Sequence, residues 1–128
     1  MMPDSHATAA GRRHVFVYGT LRARFAPPPE RVADGAIAGT LYDLGAYPGA
    51  VLGGKGRVRG EIYRITRALE AQLDLLEEVK PDGTGEYIKR EVPVRVGEVQ
   101  LACLVYEIHP DRIAGRAPIS SGDWFLRG

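Results

Sequence analysis

Cysteine is almost missing from this chain: Cys103 is the single example in 128 residues. A lone thiol excludes an internal disulfide framework and any cysteine-based zinc cluster, and its place in the alternating run VQLACLVYEI marks it as a small core residue. Long apolar runs are missing too. No stretch reaches the roughly 18 residues of a membrane-crossing helix, and the opening MMPDSHATAAGRRH lacks the apolar segment of a signal peptide. Charge of one sign is also absent. With 17 Lys and Arg against 16 Asp and Glu the net charge is +1, and no basic stripe is present to track phosphates. These absences predict a cytoplasmic protein with neither nucleic acid nor membrane among its partners, and residues 1–13 read as a disordered leader.

Histidine is scarce as well. His6, His14 and His109 fall in no ligand spacing, so no metal is expected. No G-x-S-x-G elbow occurs, and Ser120 and Ser121 have no histidine partner in sequence, which argues against a serine nucleophile. The stretch GAVLGGKG, residues 49–56, matches the first seven positions of a phosphate-binding P-loop. It then fails, because Gly56 stands where a Ser or Thr must hold magnesium, and the following RVRGEIYRI reads as a strand where a helix is required. A flexible Gly-rich loop is the better account.

What is present is a chain long enough for one domain that buries about two thirds of its unfolded surface. HVFVYG reads as a strand apolar on both faces, and APPPERVADGA as a loop. AIAGTLYDL, GRVRGEIYRI, YIKREVPVRV and VQLACLVYEI read as further strands, the last two joined by a hairpin at VGEV. TRALEAQLDLLEEV, residues 66–79, has a helical period, with Thr66 as N-cap and Leu69, Leu73 and Leu76 as its buried face. At about 100° per residue Glu77 lies roughly 80° from the centre of that stripe, at the core boundary, and Glu78 faces water. Many short strands with one good helix predict an α+β domain with a mixed or closed sheet.

Two features carry chemistry. Where the first strand stops in Tyr18-Gly19-Thr20-Leu21, backbone N–H groups lose their ladder partners and can receive a carboxylate or carbonyl oxygen. An ordinary strand-to-loop turn explains the same residues. A partly dry Glu77 would have its pKa raised toward the range useful to a general acid or base, although solvation or pairing with a cation is the commoner fate of such a glutamate.

Taken in order, VFVYGTLR at 15–22, GTLYDLGAYPGAV at 39–51, VRGEIYRI at 58–65, LDLLE at 73–77, YIKREVPVRV at 87–96 and ISSGDW at 119–124 resemble the γ-glutamylcyclotransferase-like proteins, in particular the AIG2-like branch with its γ-glutamylamine cyclotransferases. The resemblance implies an α+β fold in which a small mixed β-barrel is flanked by helices. It implies an enzyme that needs no cofactor, cyclising a γ-glutamyl amine or peptide to 5-oxoproline. Glu77 would be the general acid and base, Tyr18, Gly19, Thr20 and Leu21 would hold the γ-glutamyl group, Val51 would pack on its aliphatic part, and Tyr87 would border the pocket. The alternative open at this point is a binding or regulatory module for a γ-glutamyl-like acidic metabolite. A monomer or weak homodimer is expected, since the polar face of the helix offers no large apolar interface. The sequence departs from the family pattern in Glu78, which replaces a usual glycine, in the long loop VKPDGTGE, and in Tyr87-Ile88-Lys89, where lysine replaces the usual arginine or Arg90 takes its place one residue later.

Overall fold

β1, Arg12–Val17, has apolar residues on successive positions because both of its faces are covered. Phe16 and Tyr18 join one buried cluster, inside the curl of the sheet, while Val15 and Val17 join a second, under the helix. The computed structural model describes residues 12–19, 30–77, 79 and 85–126, so most of the expected leader, and Thr20, Leu21 and Glu78, lie outside the described residues.

The strand order is β4-β5-β1-β3-β2-β6, formed by β1 with β2 (Glu30–Asp43), β3 (Pro48–Thr66), β4 (Tyr87–Val96), β5 (Val99–Ile108) and β6 (Ala117–Pro118). β1 runs parallel to β5 and antiparallel to β3, and the remaining pairs are antiparallel. The sheet is therefore mixed, and it curls into a half-barrel around Phe16, Leu41, Ile62, Val94 and Val105. A tie between strands that are not neighbours holds the curl: the Leu52 N–H of β3 donates to Glu107 Oε2 of β5 at 2.8 Å, and Arg90 Nε holds the same buried carboxylate at 3.0 Å. Trp124, 3 % exposed, belongs to the same interior cluster. Cys103 is fully buried there, and burial pushes its thiol up to about 11, as suits a core residue.

Two boundaries differ from the sequence expectation. From Glu30 onward the proline-containing segment is already strand β2, because its residues find partners along Arg57–Arg64 of β3. The Gly-rich GAVLGGKG is not a separate loop but part of β3. Pairing with β2 jumps from Arg57 to Leu52, and residues 53–56 leave the ladder between them, a detour allowed by Gly53 and Gly54 at φ 96° and 81°. The β4–β5 hairpin closes Val96 onto Val99 as expected, with Gly97 at φ 61° in its two-residue turn.

α1 spans Arg67–Leu76, capped by Thr66, whose hydroxyl accepts from the Leu69 N–H at 3.1 Å. Its buried face is not the expected leucine stripe. Leu73 is 1 % exposed, but Leu76 is 68 % exposed, while Glu70 is buried at 8 %. The helix is rolled so that Leu69, Glu70, Leu73, Asp74 and Glu77 face the sheet, which moves Glu77 from the border to within about 10° of the centre of the inward face. The roll is made possible by cations on the sheet: Lys89 Nζ bonds Glu70 Oε2 at 2.7 Å and Asp74 Oδ2 at 2.9 Å. Among the described residues no helix is long and apolar enough to cross a membrane.

Truncating Leu73 to Ala should cost about 2–5 kcal/mol, whereas Leu76→Ala should change stability by about 0.5 kcal/mol or less. Urea denaturation of both variants checks the roll of the helix, since a leucine stripe centred between them would make the two costs similar.

Candidate active site

β1 ends where a cavity of about 400 Å³ begins. Its floor consists of Phe16, Val17, Tyr18 and Tyr106, all buried. Gly19 and Pro48 form one side, and Glu77, Glu86, Tyr87 and Tyr47 complete the wall and mouth. The glycine of the YGTL turn is required by packing: a Cβ on Gly19 would stand 2.5 Å from Pro48 Cγ. The strand therefore breaks in glycine to admit the proline ring that shapes the cavity.

The tyrosines are struts. Tyr18 donates its hydroxyl to the Tyr106 carbonyl and accepts from the Ala50 N–H at 3.2 Å, and Tyr87 donates to the Pro48 carbonyl at 2.7 Å. Burial, first of all, holds both phenols protonated far above their ordinary range. Tyr106 donates to Asp74 Oδ1 at 2.7 Å, which links the floor to the helix. Burial would lower the pKa of the Lys89 ammonium, but its bonds to Glu70 and Asp74 hold it above the ordinary value.

Glu77 is the C-cap of α1. Its backbone N–H donates to the Leu73 carbonyl at 2.9 Å, which fixes the residue at the end of the last turn and at the cavity wall. In contrast to Glu70 and Asp74 on the same face, its carboxylate has no hydrogen-bond donor or cation on it among the described residues. Burial, together with the negative charge of Glu86, raises its pKa from 4.5 to about 7. A carboxyl poised there can take a proton and return it near neutral pH.

Of the residues predicted from sequence, Tyr18, Gly19, Glu77 and Tyr87 come together around this cavity. Val51 does not line it. It is half-buried in β3 and packs with the cluster beneath the helix. Thr20 and Leu21 lie outside the described residues. Lys89 lies two residues beyond Tyr87, on the same face of β4, and is spent on the helix carboxylates, while Arg90 reaches Glu107 on the opposite face. Tyr47, Glu86 and Tyr106 were not singled out from the sequence. Only Tyr47 and Tyr106 gave a hint, as aromatics within strand-like or turn blocks. Ser121 Oγ accepts from the Asp123 N–H at 3.2 Å in a turn, as suits a structural residue.

The sequence profile of the γ-glutamyl cyclotransferase, AIG2-like family matches residues 15–126. The chain is similar to the γ-glutamylcyclotransferase family protein YtfP of Escherichia coli, at 37 % identity over 119 residues that cover 88 % of this chain and 96 % of that one. The solution structure of that protein superimposes with a TM-score of 0.63, covering 89 % of this chain and 97 % of the other. A mouse AIG2-like protein of known crystal structure, 25 % identical, gives a TM-score of 0.64 over 80 % of this chain and 83 % of its own. On its sequence and its fold alike, the chain belongs to the γ-glutamyl cyclotransferase, AIG2-like family.

Proposed function

We propose that this protein is a cyclotransferase that converts a γ-glutamyl amine or γ-glutamyl peptide to 5-oxoproline and a free amine, with Glu77 as its acid and base. The observation that carries the reading is a carboxyl with a pKa raised to about 7 at the wall of a cavity formed where β1 ends. Family membership supports the same class of reaction.

The chemistry makes modest demands on the protein. The α-amino nitrogen of the substrate attacks its own γ-carbonyl carbon, so nucleophile and electrophile belong to one molecule, and holding a curled conformer supplies much of the rate. Glu77 takes the proton that the α-ammonium must lose. The new C–N bond closes the five-membered ring as the carbonyl oxygen gains charge, a charge that the backbone N–H of Gly19 at the cavity wall would steady. Glu77 then returns its proton to the departing nitrogen, the old C–N bond breaks, and the carbonyl re-forms. Atoms balance without a cofactor, and the carboxylate ends as it began.

Replacing Glu77 by Gln keeps the shape and removes the proton carrier, so formation of 5-oxoproline from γ-glutamyl donors, followed by mass spectrometry, should fall by about 100- to 10,000-fold with the circular dichroism spectrum unchanged. Full activity in that variant would refute the assignment.

The raised pKa also fixes two pH dependences. The base form of Glu77 is needed in the free enzyme, so kcat/KM should fall as pH drops below about 7, where a glutamate at its ordinary value would hold activity down to about 4.5. Stability runs the other way. Between these two values the folded state binds more protons than the unfolded chain, so folding weakens as pH rises through the window. Glu77→Gln should therefore stabilise the protein by about 1–3 kcal/mol at pH near 8 and by almost nothing at pH near 4, read from urea unfolding at the two pH values.

A further inference from the structure

The curled sheet leaves a seam. β2 pairs with β3 and, at its end, with β6, while β4 pairs with β5, so the curl brings together two strand edges that no ladder joins. At Gly35 these strands close on each other, since a Cβ there would stand 3.1 Å from Val94 Cγ1. Beside this contact the seam widens into a groove of about 480 Å³. The groove shares no lining residue with the cavity at the end of β1. At about 3.3 Å per residue, Tyr87 in that cavity and Arg95 in the groove lie roughly 25 Å apart along β4.

Ile37, Leu52, Val92 and Pro93 line the groove with apolar surface. Gly53, at φ 96° in the detour of β3, adds backbone with open space beside it, for a Cβ there would meet nothing within 4 Å. The banks are cationic. Arg57 comes from the β3 side and Arg95 from the β4 side, with Gln100 opposite Arg95 in the β4–β5 register. All three are exposed, and no Asp or Glu lines the groove among the described residues. Elsewhere Arg31, Arg64, Lys89 and Arg90 each hold a carboxylate. Arg57 and Arg95 hold none among the described residues, and Arg95 makes a long bond to the Gly97 carbonyl at 3.4 Å.

Two guanidinium forks on either side of an apolar groove match a group with several oxygens and more than one negative charge. A carboxylate fills one fork with its two oxygens. A phosphate monoester has three free oxygens and about 1.5 to 2 negative charges at neutral pH, enough for both forks, and its organic part is matched by the apolar residues between them. The net charge of +1 and the lack of a basic stripe favour a soluble ester over a membrane headgroup. We propose that the groove between β2 and β4 is a second binding site, which takes a soluble phosphate monoester with an apolar organic part and holds its phosphate between Arg57 and Arg95. The site stands apart from the reading of the cavity.

The test is a titration of the isotope-labelled full chain with phenyl phosphate, followed by heteronuclear NMR. Saturable shifts should centre on the backbone amides of Ile37, Gly53 and Val92. Inorganic phosphate, which lacks the ring, should bind about 5- to 10-fold more weakly. Arg57→Gln and Arg95→Gln should each raise the Kd of phenyl phosphate by about 5- to 10-fold, and raising salt from about 0.05 to 0.5 M should weaken binding further. Glu77→Gln should bind it as the wild type does. Shifts centred on the cavity at the end of β1, a Kd unchanged in both arginine variants, or inorganic phosphate bound as tightly as phenyl phosphate would each overturn the proposal. Sedimentation with phosphatidylcholine vesicles containing phosphatidate separates the two sources of a phosphate monoester. The protein should stay in solution, and co-sedimentation abolished by the double arginine variant would give the groove to a membrane and overturn the soluble ligand. Circular dichroism checks that the variants fold, and the location of the shifts in the wild type decides the site without them.

Discussion

The structure depends on a small network of charges between helix and sheet. Lys89 on β4 reaches Glu70 and Asp74, one turn apart on the inner face of α1, and Arg13 of β1 approaches Glu70 from the other side at 3.8 Å. Without these cations a helix would not turn two carboxylates toward a sheet, since burying an unpaired charge costs several kcal/mol. With them the helix can roll away from its leucine stripe, and the roll carries Glu77, seven residues beyond Glu70, to the cavity.

Three acidic residues on one helix face thereby acquire different work from their surroundings. Glu70 and Asp74 are held by a lysine, and Asp74 in addition by the Tyr106 hydroxyl. Glu77 has no such donor among the described residues, loses water to the cavity wall and feels Glu86, so its pKa rises. The contrast lies in what each carboxylate touches, a lysine for two of them and no cation among the described residues for the third. The tyrosines complete the division of labour. Their hydroxyls are committed to carbonyls and carboxylates, so they hold the walls in place.

The curled sheet supplies the other half of the site. Because β1 lies between β5 and β3, its end is central, and the cavity opens there against Pro48 at the start of β3 and Tyr87 at the start of β4. Those two strands begin on the same side of the barrel, and the bond from the Tyr87 hydroxyl to the Pro48 carbonyl closes them around the space. A site assembled from strand starts and a helix end keeps its geometry through backbone pairing, so segments remote in sequence meet with little freedom.

Sequence by itself determined the strands with strong alternation or two-sided apolar character, the hairpin at Gly97, the helix and its Thr66 cap, and, through a resemblance carried by ordered blocks, an α+β fold with a small mixed barrel-like sheet and the expectation that Tyr18, Gly19, Glu77 and Tyr87 share one site, where the structure brings them around one cavity. These follow from local periodicity and turn chemistry, which are written in neighbouring residues. Tertiary structure alone decided which face of α1 is buried, because that turned on Lys89 and Arg13, distant in sequence and supplied by β4 and β1. It likewise decided that Pro48 accounts for Gly19, that Val51 packs under the helix and does not line the cavity, that the Gly-rich segment belongs to β3, and that Glu86 shares a cavity with Glu77. Each of these depends on which strands pair and how far the sheet curls, and no local pattern of residues records a contact made across the fold.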